Sequence, residues 1–213
     1  MDLVNNAELN NNVFYKGRLF HVRATQMSQY TFNNNLMIAA TKRPTLNAKE
    51  LISCYATWDA IEGKSVSIKN NVCQGSHLHG FVLPHLSCTL VESGEALPYS
   101  GNTAGSTDVA FIFNNVGGSC LTVTGVRAYA SGIGQISSPA GPSKVLYQDI
   151  IVTDCGRAVT LRFGHNGADQ TAVFKDAFIS AISRPTCTEC YGDGAIDCSG
   201  NHAVRLLAVT ING

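Results

Sequence analysis

Gly75-Ser76-His77-Leu78-His79-Gly80-Phe81 is answered thirty residues later by Gly105-Ser106-Thr107-Asp108-Val109-Ala110-Phe111. Each copy reads as a small pair, three intervening residues, another small residue and a phenylalanine. Looser echoes occur at Ala130-Ser131 with Ile136 and at Asp154-Cys155 with Val159, so successive small pairs lie 30, 25 and 24 residues apart. A unit this short cannot bury its own apolar row and must stack on its neighbours, which is the mark of a solenoid.

A second series keeps step with the first. It comprises Val66-Ser67-Ile68-Lys69, Leu121-Thr122-Val123-Thr124-Gly125-Val126, and the runs opening at Val145, Val173 and Val204. Strand-like runs, short and rich in β-branched and aromatic residues, are expected at 13–15, 19–23, 36–40, 65–68, 80–83, 109–113, 121–129, 145–153, 158–163, 172–182 and 203–211. Only residues 47–53, with Ala48, Lys49, Glu50 and Leu51, read as a short helix. The expected fold is all-β: a right-handed parallel β-helix of about 24–30 residues per coil, with loop insertions. Residues 1–46 fit the period poorly and read as an irregular first coil or part of a neighbouring module, and 47–213 as β-helix repeats.

Turn chemistry agrees with that fold. Asn70, Asn71, Asn102, Asn114, Asn115 and Asn201 stand beside the expected bends. Asn tolerates the left-handed backbone of tight turns, and its amide can bond to amides in the coils above and below; an ordinary turn-former accounts for it as well. Residues 89–100 and the Ser- and Pro-rich 137–143 interrupt the repeat and are expected to bulge as loops on one face. The second loop could carry O-glycans; the chain has no Asn-X-Ser/Thr sequon, only the rarer form at Asn71-Val72-Cys73.

Composition bounds the partners. Charged residues make up 14% of the chain, against about a quarter in an ordinary soluble domain, and 15 Lys and Arg balance 15 Asp and Glu. No basic run exists to attract nucleic acid, and so neutral a surface is weakly protected against association. Eight cysteines (Cys54, Cys73, Cys88, Cys120, Cys155, Cys187, Cys190 and Cys198) suit an oxidising compartment and are all disulfide candidates, although some could serve as small core residues. No secretory leader and no membrane-spanning run is read here. The strand-like run reaching Ile211 reads as a piece of something longer.

The stretch Asn70-Asn71-Val72-Cys73-Gln74-Gly75-Ser76-His77-Leu78-His79-Gly80-Phe81 resembles the parallel β-helix repeats of the fibrocystin family, large extracellular receptors with G8 domains. Gly101-Asn102-Thr103-Ala104-Gly105-Ser106-Thr107-Asp108-Val109-Ala110-Phe111 resembles the next coil in that family. The resemblance is carried by Asn71, Gly75, Ser76, Gly80, Phe81, Gly105, Ser106 and Phe111; the rest of the chain fits by spacing alone. It implies an extracellular, cell-surface or ciliary scaffold with no catalytic residues to carry over. It reaches more weakly to related cell-surface hyaluronan-degrading proteins. No G8 domain and no transmembrane segment are visible, which leaves membrane attachment open.

Chemistry has few candidates. Cys187, Cys190, Cys198 and His202 could hold zinc, though the second spacing is unlike common zinc modules and a disulfide-pinned loop competes. Glu189, Asp193 and Asp197 are a thin case for calcium. His77 and His79 are expected on one side of a strand, near His85, without a neighbouring carboxylate. Asp149 and Asp176 fall at matching places on successive coils, with Asp154, Arg157 and Lys175 nearby, and form the best enzymatic pair, at a spacing near that of retaining glycosidases. The expected function is a non-catalytic extracellular scaffold without cofactor, engaging other extracellular proteins or copies of itself end to end. A carbohydrate-active or carbohydrate-binding β-helix is the alternative.

Overall fold

A computed structural model describes residues 2–3, 7–17, 20–24, 29–40, 53–57, 65–84, 99–114, 120–137, 144–162, 171–181, 196–199, 203–207 and 210–212. They form 24 short strands and, among the described residues, no helix. Every third strand joins the same sheet, and all pairings are parallel, giving a β-helix with three eight-stranded faces.

Face A stacks β1 (Asp2–Leu3), β4 (Phe20–Ala24), β7 (Ser53–Thr57), β10 (His79–Pro84), β13 (Val109–Asn114), β16 (Ile133–Ser137), β19 (Arg157–Arg162) and β22 (Ile196–Ser199). Face B stacks β2 (Ala7–Asn10), β5 (Gln29–Asn33), β8 (Ser65–Lys69), β11 (Tyr99–Ser100), β14 (Cys120–Thr124), β17 (Lys144–Gln148), β20 (Thr171–Lys175) and β23 (Ala203–Leu207). Face C stacks β3 (Val13–Tyr15), β6 (Leu36–Ile38), β9 (Val72–Gln74), β12 (Thr103–Gly105), β15 (Arg127–Tyr129), β18 (Ile151–Cys155), β21 (Phe178–Ala181) and β24 (Thr210–Asn212).

Among the described residues, the corner from face B to face C keeps one length. Two residues make it each time, the first in the left-handed region: Asn11 (φ 60°), Asn34 (57°), Asn70 (55°), Gly101 (65°), Gly125 (65°), Asp149 (51°) and Asp176 (52°). Asn, Asp and Gly are the residue types that accept this backbone. The expected long runs at 121–129, 145–153 and 172–182 are each two strands folded at such a corner, because apolar alternation continues through the bend.

The second corner residue points inward, and in four successive coils it is an asparagine: Asn12, Asn35, Asn71 and Asn102. The Oδ1 atoms of the last three each accept from the preceding coil's asparagine, from both its backbone N–H and its Nδ2. These distances are 2.9 and 3.1 Å at Asn35, 2.9 and 3.0 Å at Asn71, and 3.0 and 3.0 Å at Asn102. The Nδ2 atoms of Asn35, Asn71 and Asn102 also donate to the carbonyls of Leu9, Phe32 and Ile68. Buried amides must be satisfied, and here each satisfies the next. Beyond Asn102 the column turns apolar, with Val126, Ile150 and Ala177 buried in the same place.

Inside, aromatic rings meet along the stack: Phe81 stacks on Phe111 in a face A row (5.2 Å between centroids), Tyr147 on Phe174 in a face B row (4.8 Å), and Phe32 of face B meets Tyr55 of face A (5.0 Å). Stacked pairs of this kind contribute about 0.5–1.5 kcal/mol each beyond area burial. Where faces A and C meet, small residues face one another, because a Cβ on Gly80 would overlap the Ala110 carbonyl and lie 2.8 Å from the Ala104 Cβ. One coil earlier, Cys54 and Cys73 fill the same place with a disulfide.

Coil length departs from the expected 24–30 residues at both ends. Face A pairings give offsets of 21 (Asp2 with Arg23), 33 (Val22 with Tyr55), 26, 30, 24, 24 and 37 (Val159 with Ile196). Connections other than the B-to-C corner absorb the difference. The interruptions at 89–100 and 137–143 both fall between a face A and a face B strand, and their interiors lie outside the described residues, as does the expected helix at 47–53 apart from Ser53, which opens β7. Residues 1–46 supply β1–β6, paired in register with the coils above them, including Tyr30 with Val66 and Leu36 with Val72.

Replacing Asn71 by Ala removes the acceptor for two donors of Asn35 and leaves the Phe32 carbonyl and Asn102 Oδ1 short of a partner. Urea denaturation is expected to show a loss of about 2–4 kcal/mol. Val126→Ala, in the apolar part of the column, should cost less.

Candidate functional site

The outward rows divide by face. On face B they read Asn10, Asn33, Lys69, Ser100, Thr124, Gln148, Lys175 in one row, and Glu8, Thr31, Ser67 opening the next. Asn33 Oδ1 accepts from Ser67 Oγ (3.0 Å) and the Lys69 N–H (2.9 Å), which ties the polar groups at the start of this face together, while the second row passes on to the half-buried Leu146 and Val173.

Face C is different. Its outward rows open with Val13, Leu36 and Val72, and with Tyr15 and Ile38 beside them. Val13 is 69% exposed and Tyr15 64%, while Leu36, Ile38 and Val72 are half-buried. Contiguous outward apolar residues over three coils form a patch of the kind that marks contact surfaces. Further along the Tyr15 row, the Tyr129 ring lies flat on Gly105, where any Cβ would overlap it, and its hydroxyl donates to Gln74 Oε1. Gln74 Nε2 in turn donates to Ser106 Oγ (2.8 Å).

The repeat that reveals the fold is in register with one adjustment. Phe81 pairs with Phe111, as the motif requires, but Gln74 pairs with Gly105, so Gly75-Ser76 superposes on Ser106-Thr107, a step of 31 rather than 30. Gly75 (φ 71°), Ser106 (53°), Ala130 (47°) and Asp154 (54°) share the left-handed position at the C-to-A corner. Thr107 N–H donates to Ser131 Oγ, and the two hydroxyls are 3.1 Å apart. Asn71 is the ladder residue described above.

Asp149 and Asp176 do fall on adjacent coils of one column, the exposed left-handed position of the B-to-C corner, where the Asp149 N–H bonds to the Lys175 carbonyl (3.0 Å). Their carboxylates stand on a ridge open to water. Asp154 occupies the other corner, and Arg157 opens β19.

Of the cysteines, Cys54 and Cys73 are joined to each other, and Cys120 is also disulfide-bonded. Cys155 is a buried free thiol; burial raises its pKa, and its Sγ lies 3.3 Å from the Thr153 carbonyl. Cys88, Cys187, Cys190, His85, Glu189, Asp193 and His202 lie outside the described residues, and of Asp197 and Cys198 only the backbone in β22 is described. No group of three His, Cys, Asp or Glu suited to a metal occurs among the described residues.

His77 and His79 part company: His77 is exposed in the turn before β10, and His79 is buried at its first residue. His79 pairs in register with Ser53, whose Oγ, like His79 Nδ1, is buried without a hydrogen-bond partner. Sequence spacing could not show this pairing, because 26 residues separate the two. Burial lowers the His79 pKa below 6.5, and the charge of Asp108 opposes it. No family model, curated protein or solved structure matches the chain.

With its folded pKa below the unfolded 6.5, His79 favours the folded state in its neutral form. Its contribution is therefore complete above about pH 6.5 and is lost as pH falls through that value toward the folded pKa. Thermal denaturation across pH 5–8 should show His79→Gln falling less steeply than the parent chain on the acid side.

Proposed function

We propose that this chain is a non-catalytic scaffold of the extracellular or cell-surface space, a stack of coils that engages other proteins or its own copies. The observation that carries this reading is the outward apolar patch of Val13, Tyr15, Leu36, Ile38 and Val72 on face C. A neutral chain with that patch has little self-repulsion to keep partners away. The disulfides at Cys54–Cys73 and Cys120 support an oxidising location. No helix among the described residues is long and apolar enough to cross a membrane. The likeness of Asn70–Phe81 to fibrocystin-type coils points the same way.

Sedimentation velocity over a concentration series is the test. The parent chain is expected to associate, and Val13→Lys/Tyr15→Lys, at positions that contribute little to the core, to shift toward monomer with an unchanged melting temperature. Association unchanged in the double variant overturns the role of the patch.

A second reading, carbohydrate binding, is favoured by Tyr129, whose flat ring lies beside the Gln74 amide and the Ser106 hydroxyl. An aromatic face flanked by such groups is a surface on which a sugar ring can stack. Retention on immobilised polysaccharide that is lost in Tyr129→Ala is the expected result on this reading.

A further inference from the structure

The chain has no Asn-X-Ser/Thr, and Asn71-Val72-Cys73 is its one N-glycosylation sequon, with cysteine in the place of the hydroxyl residue. In the fold both of its reactive residues are taken. Asn71 is fully buried, and its polar groups all have partners. The backbone N–H donates to Asn102 Oδ1 (3.0 Å), and the carbonyl accepts from the Thr103 N–H (2.8 Å). Its Oδ1 accepts twice from Asn35. Its Nδ2 uses both hydrogens, one on the Phe32 carbonyl (2.7 Å) and one on Asn102 Oδ1 (3.0 Å). Two residues on, Cys73 is buried as well, and its sulfur is bonded to that of Cys54, 19 residues before it.

N-glycosylation replaces one hydrogen of an asparagine Nδ2 with the first sugar of an oligosaccharide. At Asn71 that would break one of two hydrogen bonds and set a sugar inside a close-packed core. A closed coil and a glycan at Asn71 therefore exclude each other. The sequon also needs the Cys73 thiol, which the disulfide removes. We propose that Asn71 is a conditional N-glycan acceptor, open in an oxidising secretory compartment only while Cys73 is unpaired, and closed first by the Cys54–Cys73 disulfide and then by the asparagine ladder. The donor is a lipid-pyrophosphate-linked oligosaccharide. A bond forms between Asn71 Nδ2 and the anomeric carbon of the first sugar, and the bond from that carbon to the pyrophosphate breaks. The lipid pyrophosphate leaves with the bonding pair, and Nδ2 gives up one proton. A glycan at this place marks a chain in which the coil has not closed. This rests on the secreted location in the scaffold reading and adds a modification to it.

With no other sequon in the sequence, an N-glycan on this chain reports on Asn71 alone. The whole chain, carried on a cleavable secretory leader, is translated into endoplasmic-reticulum microsomes. The parent is expected to stay unglycosylated under oxidising conditions. With dithiothreitol present it should gain a single-glycan shift in gel mobility that peptide N-glycanase reverses. Cys54→Ala keeps the sequon and frees Cys73, so it should show the shift without reductant, and Cys54→Ala/Asn71→Gln should lose it. None of these readouts needs a folded product. Shifted chains should be cut by trypsin at concentrations that leave the unshifted parent whole. No shift in Cys54→Ala, or a parent glycosylated equally with and without dithiothreitol, overturns the control by the disulfide. A shift that survives Asn71→Gln overturns the site, and a shifted chain as trypsin-resistant as the unshifted parent overturns the exclusion by the ladder. Microsomes impose the oxidising compartment, so each of these results leaves the scaffold reading to its own sedimentation test.

Discussion

The two-residue corner between faces B and C is the constraint on which the rest depends. Parallel strands bond to the coil above and the coil below, so a corner that wandered in position would throw every later strand out of register. A left-handed residue followed by a buried one turns the chain in the least length available and repeats seven times. The other corners are then free to vary, and coil offsets from 21 to 37 residues coexist with parallel pairing on every face, with one register shift between Val152 and Cys155.

The asparagine ladder shows how that corner is held where it is wettest in chemistry and driest in surroundings. An amide at this place can accept from below, donate above and donate to a carbonyl of its neighbour, so a run of four closes its own hydrogen bonding except at its ends. Once the column changes to Val126, Ile150 and Ala177, dispersion and area burial take over. The aromatic pairs Phe81–Phe111 and Tyr147–Phe174 and the small-residue seam of Gly80, Ala104 and Ala110 follow the same logic: rows stack, so like sits on like from coil to coil.

The surface of such a body divides by face. A hydrogen-bonded polar opening on face B, an apolar opening on face C and a ridge carrying Asp149 and Asp176 come from one alternation, since each outward residue is the neighbour of an inward one. Ser53 and His79 depart from this alternation, as polar groups buried at the start of face A strands with their hydrogen bonding incomplete.

The sequence by itself determined the class of fold and the rows. The Gly75–Phe81 and Gly105–Phe111 echo, the Val series on face B and the punctuation by Asn, Asp and Gly are local features, and a solenoid uses each locally. It also placed Asp149 and Asp176 in one column, because their coils have nearly constant length. Tertiary structure alone decided the one-residue adjustment at Gly105-Ser106, the membership of residues 1–46 in the stack and the pairing of Cys54 with Cys73. It also decided that His79 meets Ser53 while His77 faces water. Those outcomes depend on how much chain each loop consumes between fixed corners, and loop length carries no periodic signal; only the closing of backbone hydrogen bonds between coils fixes it.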